Sequence, residues 1–242
     1  VPTVEKKVLD DADAVASDIK VSDKWKDVAD SQIGQEVNYK LTGTIASNYD
    51  TFSTYAYKFT DVLSGGLDYV DGSVEVYALN NGAYTKIDAG HYSVNYAGAG
   101  KTLTVEFKAG NGDKGLKDVD GVTADTQIVV FYKAKLNGSA VIGNAAEGNK
   151  GGNPNTVKLE YSNNPYTEGT GTTIEDTVAD FAFKLNLNKV DQGTEKGLAG
   201  AVFPIQSDDA NTQGQYVASK ADAAAGVVAG QLVTVTNANN LP

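Results

Sequence analysis

Along most of the chain, apolar and polar residues alternate in short runs with a period of two. Val157, Leu159 and Tyr161 interleave with Lys158, Glu160 and Ser162, the pattern of a strand with one face buried and the other wet. The same alternation predicts strands over residues 1–9, 36–45, 55–63, 74–79, 92–96, 103–107 and 128–136. Gly- and Asn-rich stretches separate them, and Asn48, Tyr49 and Asp50 read as a turn. Residues 10–30 are acidic and polar and read as a connection with one short helical turn, while 140–155 reads as a loop. Many short strands joined by turns predict a β-sandwich or barrel.

Residues 166–180 lose the alternation and are rich in Gly and Thr, so the domain boundary is expected there. Alternation resumes with Phe183, Leu185 and Leu187 against Lys184, Asn186 and Asn188, and the apolar face then delivers Lys189. The expected organisation is a first sandwich over 1–168, a linker over 169–180 and a second all-β segment over 181–242. That segment has about 60 residues where a sandwich of usual size has roughly 100. It is therefore expected to be the N-terminal part of a truncated domain.

Composition narrows the function classes. The 242 residues include 13 Tyr and 26 Gly but no Cys or Met, which favours strands and turns and excludes disulfides. A net charge of −11 spread along the chain argues against a nucleic-acid surface, which needs clustered Lys and Arg. No apolar run approaches the roughly 20 residues of a membrane span. The absence of an initiating Met implies that Val1 is not the translated start. His91 is the single histidine, so neither a His-based triad nor a zinc cluster is expected, and no cofactor is implied. Gly98, Gly100, Lys101 and Thr102 suggest part of a phosphate loop, but Asn95 stands at its first glycine and no helix follows, so a hairpin turn is expected. Asp118 and Asp120 lack full calcium-ligand spacing and read as a solvated turn. Asn137, Gly138 and Ser139 fit a glycosylation sequon, a pattern that arises readily by chance.

Three polar residues fall on apolar strand faces. Lys6 shares a face with Val4 and Val8, Asp61 follows Tyr55, Tyr57 and Phe59, and Asn163 follows Val157, Leu159 and Tyr161 just before Pro165 ends the strand. Burial lowers a lysine's pKa and frees its lone pair, making it a nucleophile. A buried Asp stays protonated and relays protons. Attack of Lys Nζ on Asn Cγ with loss of ammonia would give an intramolecular isopeptide bond joining the first strand to the last. The plainer reading is a buried or rim Lys6–Asp61 salt bridge, with Asn163 satisfying loop amides. A one-residue slip in strand phase would substitute Lys7 and Asn164.

Residues 2–8 (P-T-V-E-K-K-V), 39–45 (Y-K-L-T-G-T-I), 57–67 (Y-K-F-T-D-V-L-S-G-G-L) and 155–165 (N-T-V-K-L-E-Y-S-N-N-P) together resemble a Gram-positive sortase-assembled backbone pilin, in its CnaA-type middle domain. Residues 183–191 (F-K-L-N-L-N-K-V-D) and 198–203 (L-A-G-A-V-F) resemble the opening of the CnaB-type domain that follows. The resemblance implies an Ig-like CnaA-type β-sandwich followed by an incomplete CnaB-type sandwich. It also implies a Lys6–Asn163 isopeptide bond promoted by Asp61, and Lys189 as a second reactive lysine whose acid and Asn partners are missing, since Asn237, Asn239 and Asn240 come too early. The protein would be a structural shaft subunit on a cell-wall-anchored pilus, bearing load in adhesion, with other pilin subunits as partners and a host or matrix ligand as a further one. It would be no enzyme beyond a single self-crosslinking turnover. The family's pilin-motif lysine and its sorting signal have no counterpart; Leu241 and Pro242 match only the start of the latter. The alternative is a non-fibrous adhesin built from the same domains. A carbohydrate-active enzyme would need two convergent carboxylates, and none stands out.

Overall fold

A computed structural model describes residues 1–14, 18–143, 151–183, 185 and 187–235. Its first part is a sandwich of two sheets. One sheet is built from β1 (Val4–Leu9), β3 (Glu36–Gly43), β12 (Gln127–Leu136), β6 (Glu75–Asn80) and β7 (Ala83–Lys86), in that order, with β5 (Leu67–Tyr69) also pairing with β12. The other runs β2 (Val28–Asp30), β15 (Asp176–Phe181), β13 (Asn153–Ser162), β4 (Tyr57–Leu63), β9 (Thr102–Phe107) and β8 (Ser93–Ala97), with β14 (Thr170–Thr172) also on β13. A two-stranded ribbon joins β10 (Ala109–Gly110) to β11 (Asp113–Lys114). Short 3-10 turns fill several connections, and no α-helix occurs among the described residues. None is therefore long and apolar enough to cross a membrane.

The alternation read from the sequence explains the core. Tyr57, Phe59, Asp61 and Leu63 of β4 face inward while Lys58, Thr60 and Val62 do not. On β13 the inward set is Asn153, Asn155, Val157 and Leu159. These meet Tyr39, Leu41, Val130 and Tyr132 from the opposite sheet in one continuous core. Trp25 covers the outer face of the first sheet, its ring 5.9 Å from that of Phe131 and its indole N–H donating to the Ile19 carbonyl at 2.8 Å. The stretch 98–102 is a hairpin turn between β8 and β9, as expected, with Lys101 left-handed at φ 47°.

Two expectations are corrected. Residues 169–180 are not a free linker: β14 and β15 extend the second sheet, and Val178 and Asp180 are buried in the first sandwich. The strand expected at 183–187 is not formed among its described residues, and Phe183, Leu185 and Leu187 are each more than half exposed. Lys184 and Asn186 of that stretch, and Asn237, Asn239 and Asn240, lie outside the described residues. Beyond β15, paired strands are confined to β16 (Tyr216–Val217) and β17 (Leu232–Val233) among the described residues. Alternation without a partner strand to accept its hydrogen bonds does not make a strand.

Candidate crosslinking site

β1 forms one edge of the first sheet and pairs with β3, placing Lys6 opposite Leu41. Its backbone amide donates to Asp176 Oδ2 of β15 at 2.6 Å, fastening the edge of one sheet to the other. The side chain turns into the core and is fully buried. There the three protons of Nζ are shared among four oxygens within hydrogen-bond distance, both carboxylate oxygens of Asp61 at 2.6 and 2.5 Å, the Tyr132 hydroxyl at 2.9 Å and Asn155 Oδ1 at 2.5 Å. The Tyr132 hydroxyl donates to Asp61 Oδ2 at 2.7 Å and accepts from Asn155 Nδ2 at 2.6 Å. Tyr132 stacks on Tyr39 with centroids 5.2 Å apart, and Nζ lies 5.1 and 5.3 Å from the Tyr39 and Tyr132 rings.

Burial sets the charge state of this cluster. It pulls the Lys6 ammonium down to about 8, against the opposing pull of Asp61. It pushes the Asp61 carboxyl up, against the stabilising contacts from Lys6 and Tyr132. Both shifts narrow the gap between the two groups, so the resting ion pair can pass a proton from Lys6 to Asp61 and reach a neutral amine beside a neutral acid more readily than exposed groups would. A neutral amine pressed against a carboxamide, with an acid in contact, is the arrangement that amide exchange needs.

Lys6 and Asp61 therefore stand where strand phase put them, but Asn163 does not join them. Asp61 pairs across the ladder with Val157, and Asn155 is its diagonal neighbour two residues away. Asn163 lies past the end of β13, exposed, with its backbone amide donating to the Gly169 carbonyl at 3.4 Å. Eight residues of strand, roughly 26 Å at the usual rise, separate the two asparagines. Lys7 and Asn164 are not substitutes either. Lys7 points outward to Asp27 at 2.7 Å, and Asn164 is exposed. Lys189 is exposed too, its carbonyl accepting from the Leu198 amide.

Sequence reasoning missed Asn155 because β13 starts earlier than the alternation seemed to allow. Asn153, Pro154 and Asn155 resemble a loop, yet Asn155 is in phase with Val157 and Leu159. Pro154 is tolerated because the ladder to β4 begins only at Asn155. Tyr132 carried no signal apart from its place on the inward face of an apolar strand.

Residues 33–165 match the family model described as Gram-positive pilin backbone subunit 2, Cna-B-like domain. The chain belongs to this pilin backbone family. The matched span falls within the first sandwich, to which the family description gives the Cna-B-like label, whereas the motif reading put a CnaA-type domain there. Solved structures of backbone pilins share the fold. The T6 backbone pilin of serotype M6 Streptococcus pyogenes is 18% identical, with a TM-score of 0.57, over 90% of this chain and 43% of that one. BcpA, the major pilin subunit of Bacillus cereus, is 19% identical with a TM-score of 0.57 over 96% and 52%. A 35 kDa C-terminal fragment of the major pilin GBS80 of Streptococcus agalactiae is 19% identical with a TM-score of 0.56 over 81% and 61%. The backbone pilin chain described here thus spans about half the length of these structures. No curated protein matches it.

A second buried acid lies near the site. Asp180 of β15 is fully buried, and neither carboxyl oxygen has a hydrogen-bond partner among the described residues. Burial pushes its carboxyl up to about 8; Ser31 nearby opposes that shift, and Asp11 and Asp10 add to it. The neighbouring Asn153 is fully used: its Nδ2 donates to the Asp180 and Val141 carbonyls and its Oδ1 accepts from the Val141 amide.

Proposed function

We propose that the chain forms part of the shaft subunit of a sortase-assembled surface pilus, and that its first sandwich closes itself with a Lys6–Asn155 isopeptide bond promoted by Asp61. The observation that carries this reading is the buried contact of Lys6 Nζ with both Asp61 and Asn155 Oδ1. In the reaction the Nζ–Cγ bond forms, the Cγ–Nδ2 bond breaks and ammonia leaves, with no oxidant or reductant required. The bond would tie β1, at the edge of one sheet, to β13 inside the other. Its role is to keep a load-bearing domain folded under tension, in a fibre whose partners are further pilin subunits at the cell surface. The turnover is single and the product is the protein itself, so the activity is self-crosslinking rather than enzymatic.

Intact mass tests the reading. The purified chain should lack one ammonia relative to its sequence, and Lys6→Ala should restore the full calculated mass for that variant. A wild-type chain carrying its complete sequence mass would overturn the crosslink.

A further inference from the structure

Replacing the Asn155 amide with a Lys6 amide demands proton movements at two nitrogens. Nζ begins as an ammonium with three protons and must retain one in the product amide. Nδ2 begins with two and must gain a third before leaving as ammonia. Asp61 touches Nζ through both oxygens, but its other hydrogen bond among the described residues goes to Tyr132 rather than to Nδ2. Nδ2 in turn donates to the Tyr132 hydroxyl. One phenol oxygen therefore lies within hydrogen-bond distance of the nucleophile, the acid and the leaving nitrogen, at 2.9, 2.7 and 2.6 Å.

We propose that Tyr132 is a catalytic residue of the crosslinking reaction: its hydroxyl relays a proton from Asp61 to Nδ2 of Asn155 and holds the amide with its carbonyl oxygen toward Lys6. The inference rests on the crosslink reading above. Lys6 first passes a proton to the Asp61 carboxylate, and the neutral amine adds to Cγ. Asp61 then donates to the Tyr132 oxygen while the Tyr132 hydroxyl proton moves to Nδ2. The tetrahedral centre collapses, the Cγ–Nδ2 bond breaks, and the second proton shed by Nζ returns to Asp61. Of the ammonium's three protons, one finishes on the Tyr132 oxygen in place of the hydroxyl proton that leaves in ammonia, one on Asp61 and one on the new amide. A relay tolerates no slack, and the structure gives it none. Tyr132 sits on the central β12 with its ring stacked against Tyr39, and it is buried. Burial also keeps the phenol protonated, with its pKa well above the ordinary tyrosine range, so the hydroxyl has a proton to give.

The test follows the full chain during cell-free synthesis, with timed quenching into denaturant and intact-mass readout. Tyr132→Phe keeps the ring and its stacking. It should lose ammonia roughly 100-fold more slowly than wild type, the low end of what general acid–base catalysis contributes. Tyr57→Phe also removes a buried hydroxyl, one that donates to the Thr44 carbonyl at 2.7 Å, and should crosslink at the wild-type rate. Site-specific fluorotyrosine at position 132 keeps the ring and the hydroxyl while making its proton more acidic, and should change the rate of ammonia loss, whereas the same replacement at position 57 should not. A wild-type chain that loses ammonia, alongside a Tyr132→Phe rate equal to wild type or a rate with fluorotyrosine at position 132 equal to that with fluorotyrosine at position 57, overturns the role of Tyr132 and leaves the crosslink standing. A wild-type chain that never loses ammonia overturns both.

Discussion

Lys6 Nζ lies 2.5 Å from Oδ1 of Asn155, on the same inward face of β13 that leads, eight residues on, to the exposed Asn163. The contact makes Asn155 rather than Asn163 the acceptor in the proposed crosslink. Asn155→Ala should keep the full calculated mass of that variant, whereas Asn163→Ala should still lose one ammonia. Mass spectrometry of the two purified variants decides between them, and a crosslink surviving in Asn155→Ala would discard the assignment.

The pair of Lys6 and Asp61 predicts asymmetric losses. Breaking a buried ion pair by removing one partner costs about 3–5 kcal/mol, because the other is stranded without solvent. Asp61→Ala should therefore block crosslinking and, measured by urea unfolding against the uncrosslinked Asn155→Ala variant that keeps both charged partners, destabilise the domain by about 3–5 kcal/mol. Lys6→Met with Asp61→Leu removes both charges while filling the space, and should be markedly more stable than Asp61→Ala although equally uncrosslinked. A double variant no more stable than the single one would contradict this account of the core.

Asp180 predicts how stability depends on pH. Its folded carboxyl titrates near 8, far above the roughly 3.9 of an unfolded Asp. Between those values the folded state holds a proton that the unfolded state has released, so the stability this group contributes below about 4 is lost as pH rises toward 8. Asp180→Asn should flatten the decline between pH 5 and 8 and raise the urea midpoint at pH 8. A slope unchanged by the substitution would show that other groups govern it.

Gly115 has φ 64° and its neighbours form hydrogen bonds with Tyr55 on both sides, Tyr55 N–H to the Lys114 carbonyl and Leu116 N–H to the Tyr55 carbonyl, each at 2.9 Å. A Cβ there would drive into the Tyr55 carbonyl oxygen, which is backbone and has no room to move aside. Gly115→Ala should cost about 2 kcal/mol or more, from left-handed strain plus the clash. Chemical denaturation of the variant measures it, and a change below about 0.5 kcal/mol, the range of ordinary surface substitutions, would refute the argument.

β15 makes a separate prediction by hydrogen exchange. A free linker would exchange its amides at once, but the strand Asp176–Phe181 is laddered to β13 and, in parallel, to β2. Amides of residues 178–181 should be protected to a degree comparable with β4. Immediate exchange would return this segment to linker status.

What the sequence disclosed follows from how each structure is encoded. Strands with one buried face announce themselves by alternation, so β3, β4, β6, β8, β9 and β12 were legible within one to two residues, as were the buried Lys6 and Asp61. Partnership is encoded nowhere in a single strand. Residues 176–181 alternate too weakly to stand out, and they become a strand because β13 offers an unpaired edge. The stretch 183–187 alternates strongly, yet its described residues pair with no strand. Asn155 was hidden because strand phase extends in both directions and only the register to β4 says which in-phase asparagine meets Asp61. Family motifs could not settle that, since both asparagines belong to the same motif. Tyr132 was hidden because a tyrosine on an apolar face reads as packing until its hydroxyl partners are known.

The placement of Asn155 near the start of β13 rather than beyond its end would also divide the domain mechanically. With the proposed bond at residue 155, everything from Lys6 to Asn155 would be a closed covalent ring, and the rest of β13 and all of β14 and β15 would hang outside it, held by hydrogen bonds and burial. A pull on the C-terminal side would strip about 26 residues, an extension on the order of 90 Å at full stretch, before the bond itself felt the load. The domain would then behave as a shock absorber in series with a fixed stop, dissipating force by reversible peeling where a bond at Asn163 would have locked β13 from the outset.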